Sequence, residues 1–133
     1  MLNKYLVLFF FLIALVSCDP AKIIVLKTNK IHNSQISIYA NATILPYSNP
    51  DSISKIILQV PYTDSTKHAE KVLNYGLGVW DDEELIHLSE IIDSIIIQNA
   101  ESRDIYNSQN EIHAYLIAHR GGFAGSRLLF ETE

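Results

Sequence analysis

The hydrophobic period of this chain changes partway along it, and that change restricts the fold more than any other feature. From Gln35 to Leu45, the residues Ile36, Ile38, Ala40, Ala42 and Ile44 alternate with Gln35, Ser37, Tyr39, Asn41 and Thr43. A period of two places one set on a single face of a strand. In the second half the apolar spacing lengthens towards 3.6, the period of a helix buried along one stripe. Strands first and helices later describe an α+β fold.

Two further runs read as strands. Ala21-Lys22-Ile23-Ile24-Val25-Leu26-Lys27 is rich in β-branched residues, and Ser54 to Val60 is a similar run that stops at Pro61. The polar link Thr28 to Ser34, with Asn29 and Asn33 as turn formers, predicts an antiparallel pair between the first two strands. Pro46 to Ser52 is a turn-rich loop before the third. Such a sheet leaves one face to be covered.

Helices are expected to cover it. The first runs from about Thr66 to Tyr75, with Asp64 or Ser65 to cap it, Gly76 to stop it, and Ala69, Val72 and Leu73 facing the sheet. Gly76 to Trp80 is a tight apolar link. Asp81-Asp82-Glu83-Glu84 then opens a helix of about five turns, because Asp81 and Glu84 match a capping box and the acidic first turn suits the helix dipole. Its stripe is Leu85, Leu88, Ile92, Ile95 and Ile96, broadened by Ile91. Asn99 to Asn107 reads as a loop with Ile105 and Tyr106 as packing points. Ser108 to Glu111 is a second capping box, followed by Ile112, Tyr115 and Leu116, with His119 and Arg120 at the negative end and Gly121 as the stop. Ile112 to His119 also alternates well enough for a strand paired with Arg127 to Glu131, but the presence of both start and stop signals favours the helix. Ser126 to Phe130 returns as a strand, with Leu128, Leu129 and Phe130 in the core. The expected order is β-β-β-α-α-α-β: a small antiparallel sheet covered on one face by two or three helices.

The N-terminal stretch has a different character. Lys4 and the amino terminus supply positive charge, and Tyr5 to Leu15 is almost unbroken apolar sequence. That is the layout of a secretory signal peptide, and the run is shorter than the ~20 residues a membrane-spanning helix takes. Leu15-Val16-Ser17-Cys18 follows. These four residues resemble the lipobox of bacterial lipoproteins: aliphatic, small or aliphatic, small, then cysteine. The resemblance covers residues 1–18 alone. It implies a diacylglycerol on the Cys18 thiol, cleavage between Ser17 and Cys18, and acylation of the new amino terminus. The signal would be residues 1–17, and residues 18–133 one small domain tethered through Cys18. At ~0.8 kcal/mol per buried methylene, two or three acyl chains make a durable anchor. In enterobacterial members of that class an Asp directly after the Cys, as Asp19 stands here, retains the protein in the inner membrane; other phyla sort differently, and neither membrane is chosen.

Composition narrows the function. Cys18 is the only cysteine, which removes internal disulfides, thiolate zinc sites and thiol catalysis once it carries lipid. Of 10 Lys and Arg, Lys4 leaves with the signal, so 9 face 15 Asp and Glu and the remainder carries a formal charge of −6. That sign argues against nucleic acid and against electrostatic docking on anionic lipid. The first strand begins three residues after Cys18, so the tether is short. Asp51-Ser52, Asp64-Ser65 and Asp93-Ser94 resemble the short O-glycosylation signal of some Bacteroidetes envelope proteins, the third copy falling in the expected long helix.

One segment has the composition of a ligand site. His119-Arg120-Gly121-Gly122-Phe123-Ala124-Gly125-Ser126-Arg127 combines three glycines, two arginines and a histidine. Free backbone N–H groups and guanidinium charge would suit phosphate, sulfate or carboxylate, with His119, Arg120, Gly121, Gly122 and Arg127 as the candidates. The order differs from a phosphate-binding loop, since there is no Gly-Lys-Ser/Thr and the loop follows a helix. A helix end with a glycine turn, Arg120 on the dipole and Arg127 on a carboxylate, is the plainer interpretation. No metal site or cofactor is expected: Asp81 to Glu84 point ~100° apart on a helix, and His32, His68, His87, His113 and His119 lack ligand spacing. His87 reads as a surface residue near Glu83, Glu84 and Glu90. There is no Gly-x-Ser-x-Gly elbow and no evident nucleophile and base. The expected function is a non-catalytic binding or assembly module with an envelope protein partner. The other class is an anion or small-ligand binder, or an enzyme on such a ligand, at 119–127.

Overall fold

A computed structural model describes residues 19–28, 34–40, 54–59 (backbone) and 69–132. The lipobox, Cys18, residues 29–33, 41–53 and 60–68, and with them the Asp-Ser pairs at 51 and 64, lie outside the described residues. Within them the fold is α+β, as expected, but with more strand than the sequence reading gives. The strands are β1 (Ala21–Lys27), β2 (Gln35–Ala40), β3 (Ser54–Gln59), β4 (Glu70–Leu77), β5 (Ile92–Gln98), β6 (Arg103–Tyr106), β7 (Arg120–Gly121) and β8 (Arg127–Glu131). Helix α1 (Asp82–Ile91) lies between β4 and β5, and α2 (Gln109–Ala118) between β6 and β7.

The described strands form two sheets. One has the order β4-β1-β8-β7, with β1 parallel to β8 and antiparallel to β4; the other is antiparallel throughout, in the order β3-β2-β5-β6. The predicted pairing of β1 with β2 is therefore corrected, since the two belong to different sheets. β1 instead takes its partners from residues 70–77 and 127–131.

The expected helix over Thr66–Tyr75 is also corrected, because β4 occupies 70–77. There Leu73 is buried and Tyr75 partly so, two residues apart, while Glu70, Val72 and Asn74 are exposed. That is the alternation of an edge strand, and the helical grouping of Ala69, Val72 and Leu73 does not exist. The long second helix ends at Ile91. Its C-cap residue, Ile92, is already extended at φ −84°, ψ 122°, and β5 starts without a loop. Ile92, Ile95, Ile96 and Ile97 are β-branched, which disfavours helix and suits strand. Ile95 and Ile97 face the core, and Asp93-Ser94 stands in a strand.

The supposed loop 99–107 contains β6, reached through a turn in which Asn99 Oδ1 accepts from the Glu101 and Ser102 amides at 2.8 and 2.7 Å. Tyr106 packs on the core there, but Ile105 is exposed. Helix α2 follows the prediction: Ser108 Oγ accepts from the Glu111 amide, and Glu111 answers to the Ser108 backbone N–H at 3.2 Å. Gly121 does not stop it, since His119 is the C-cap and Arg120–Gly121 is β7. Among the described residues the order is thus β-β-β-β-α-β-β-α-β-β, in place of the expected β-β-β-α-α-α-β.

One buried cluster joins both sheets and both helices. Ile24, Leu26, Leu128 and Phe130 come from the first sheet, Ile36, Ile38, Ala40, Ile95 and Ile97 from the second, and Leu85, Leu88, Ile112, Tyr115 and Leu116 from α1 and α2. Leu129 is on the other face of β8 and only partly buried. Among the described residues, no helix is long and apolar enough to cross a membrane.

Candidate functional site

The N-terminal end of β1 gathers most of the polar organisation. Because β1 runs parallel to β8 and antiparallel to β4, the start of β8 and the finish of β4 lie at that same end. Gly78 donates its amide to Pro20 O at 2.8 Å, and Ile23 donates to Ser126 O at 3.0 Å. Between them sits Trp80, buried at 6% exposure. Its amide donates to Gly125 O at 2.9 Å, its indole N–H to Ile23 O at 3.1 Å, and its carbonyl accepts from Arg120 Nη1 at 3.1 Å. Tyr75 meets the indole edge-on at 5.1 Å, and Lys22 Nζ lies 5.1 Å from the ring centre. Trp80 therefore ties β1, β4, α1 and the glycine loop together, a role the sequence reading missed by treating it as part of a link. Its being the chain's single Trp, set between a glycine pair and a capping box, is the available signal.

Helix α1 begins beside it. Asp81 Oδ1 accepts from the Glu84 amide at 2.8 Å and Glu84 from the Asp81 amide at 3.2 Å, completing the expected capping box. The acidic first turn is partly neutralised: Asp82 Oδ1 is 2.7 Å from Arg120 Nη1, and Glu84 pairs with Lys22. Two open grooves flank Trp80. One, about 500 Å³, is lined by Tyr75, Trp80, Leu88 and Ile91 with Glu83, Glu84 and His87 at its rim. The other, about 590 Å³, lies between Trp80–Asp82 and Arg120, Gly121, Gly122, Ala124 and Gly125.

The predicted anion residues divide. Arg120, Gly121 and Gly122 share the second groove, with the Arg120 guanidinium already held by Asp82 and the Trp80 carbonyl. Its charge acts at the start of α1, not at the end of α2. Gly122 and Gly125 have φ of 77° and 86°, and a Cβ on Gly122 would come within 3.0 Å of Ser126 Oγ and Arg127 Cβ. Arg127 is exposed, and among the described residues it has no ion pair; the carboxylate partner expected for it is not seen there. His119 stands apart. Its ring stacks on Tyr115 at 3.9 Å, its Nδ1 lies 2.8 Å from Tyr115 O, and it lines a separate small cleft with Tyr106, Asp104 and Glu131. Burial pushes the Tyr115 and Tyr75 phenols well above their usual range.

Elsewhere, His87 is exposed on α1 with Nδ1 3.7 Å from Glu90 Oε2, as the surface reading expects. Among the described residues, no three His, Cys, Asp or Glu side chains converge to hold a metal. No family model, curated protein or solved structure matches the chain.

Proposed function

We propose that the chain is a bacterial lipoprotein, exported, cut between Ser17 and Cys18, and held to the cell envelope by acyl chains on Cys18, where residues 18–133 act as a non-catalytic binding or assembly module. The observation that carries this reading is the Leu15-Val16-Ser17-Cys18 sequence after a charged start and an apolar run, with Cys18 as the only cysteine. It gives a thiol a use in a compartment where a lone thiol otherwise invites oxidation. The described domain is compatible with close tethering, because β1 starts at Ala21 and Pro20 is bonded to Gly78. The partner would be another envelope protein. Co-purification of C-terminally tagged protein from gently solubilised membranes tests the module. A stoichiometric partner, lost or reduced with Cys18→Ser, supports it, and protein recovered alone contradicts it.

The Arg120 groove supports a second reading, an anion or small-ligand site, since it joins a guanidinium to a glycine-rich wall. An anion there would have to displace Asp82. Binding of inorganic phosphate that persists unchanged in Arg120→Ala and Arg127→Ala would end that reading.

A further inference from the structure

The two most exposed large apolar side chains among the described residues are Leu77, at 73%, and Phe123, at 76%. Both stand at the end of the first sheet where β1 begins. Leu77 ends β4 opposite Ala21, and Phe123 opens the tight turn 123–125, whose Gly125 carbonyl is bonded to Trp80 and whose successor Ser126 is bonded to Ile23. They therefore flank β1 on its two sides, in sheet order β4-β1-β8. Each is framed by glycines, Gly76 and Gly78 around Leu77 at the end of β4 and Gly122 and Gly125 around Phe123, all with positive φ. Two such side chains held out at one end of the sheet make an apolar pair suited to contact with another apolar surface.

We propose that this end of the domain is a membrane-contacting face, with Leu77 and Phe123 entering the headgroup and acyl boundary of the bilayer beside the lipid on Cys18. The inference rests on the lipoprotein reading for the anchor but assigns a surface that the anchor alone does not. Chain length supplies the argument. Pro20 is pinned to Gly78, and two residues span at most about 7 Å, so an acylated Cys18 cannot stray far from the Leu77 turn. Any bilayer holding that lipid therefore lies against this end. The remaining chain is acidic, which leaves apolar contact as the means of adhesion, and two of the nearby carboxylates, Asp82 and Glu84, are already paired with Arg120 and Lys22. Val72, exposed further along β4 opposite Val25, and Ile105, exposed on β6 of the other sheet, should remain in water.

The test uses full-length protein purified from bacterial membranes and mixed with phosphatidylethanolamine/phosphatidylglycerol vesicles, with or without brominated acyl chains. Four variants, Leu77→Trp, Phe123→Trp, Val72→Trp and Ile105→Trp, each add one reporter to buried Trp80, and intact mass records acylation of each preparation. The added emission at 77 and 123 should fall by about half in brominated vesicles, as for groups ~5–10 Å into the boundary, and that at 72 and 105 should not change. Acylated protein without quenching at 77 and 123 overturns this face while leaving the anchor standing, and would redirect these side chains to a protein partner. Unacylated protein that is quenched there supports the face and removes the anchor. Unacylated protein without quenching removes both.

Discussion

Trp80 shows how one residue, through both its indole and its backbone, can hold an end of a domain together. Its indole N–H reaches Ile23 and its backbone reaches Gly125 and Arg120, so Trp80→Ala removes a large buried surface and the indole link while the two backbone hydrogen bonds can persist. Trp80→Ala should cost about 3–5 kcal/mol, read as a fall in melting temperature or denaturant midpoint. Asp82→Ala, which breaks an exposed ion pair, should cost less than about 1 kcal/mol. Equal costs in the two variants would contradict the central place given to Trp80. At Gly122 the left-handed φ and the 3.0 Å approaches to Ser126 and Arg127 predict that Gly122→Ala destabilises by ~1–3 kcal/mol, whereas an unstrained exposed site would show almost none.

Elements were legible where local chemistry decided them. Both capping boxes form as read, because Asp81/Glu84 and Ser108/Glu111 satisfy backbone donors without help from distant residues. Ser108→Ala should therefore cost about 1 kcal/mol by denaturant unfolding. The Glu111 carboxyl is held below its usual range by the Ser108 hydroxyl and by the Ser108 and Asn107 amides. A depressed acid pKa stabilises above the ordinary Glu value of about 4.3 and loses that contribution as pH falls through the folded value. Acid titration followed by α2 helicity should show this loss in wild type and not in Glu111→Gln. Tyr75 and Tyr115 work in the opposite window: burial favours their neutral phenols, so stability should fall as pH rises above about 10, less steeply in Tyr115→Phe. What the sequence did not disclose were choices made by tertiary partners. Ile91 to Ile97 satisfies a helical and a strand period alike, and pairing of β5 with β2 and β6 decides for strand. Residues 70–77 carry one well-buried side chain, Leu73, and take their form from β1.

At the scale of the whole molecule, long-range connection explains the remaining gap. The 119–127 segment reads as one site in the sequence, yet Arg120 in β7 lines the groove by Trp80 while His119, the C-cap of α2, lines the cleft by Tyr115. The position of Leu77 and Phe123 at one end of β1 was equally invisible, because it depends on β1 lying between β4 and β8. The proposed anchor, by contrast, rests wholly on local sequence, since Leu15 to Cys18 would be recognised as a linear segment by the processing enzymes. Under the proposed anchor, a domain whose first strand begins at Ala21 would work close to a bilayer, and cutting the tether should release it to the aqueous phase. The intact mass of the protein extracted from bacterial membranes tests this most directly. The account predicts an amino terminus at Cys18 carrying a diacylglyceryl group, with Cys18→Ser abolishing both the acyl mass and that cleavage; an unmodified Cys18, or an amino terminus elsewhere, would contradict it.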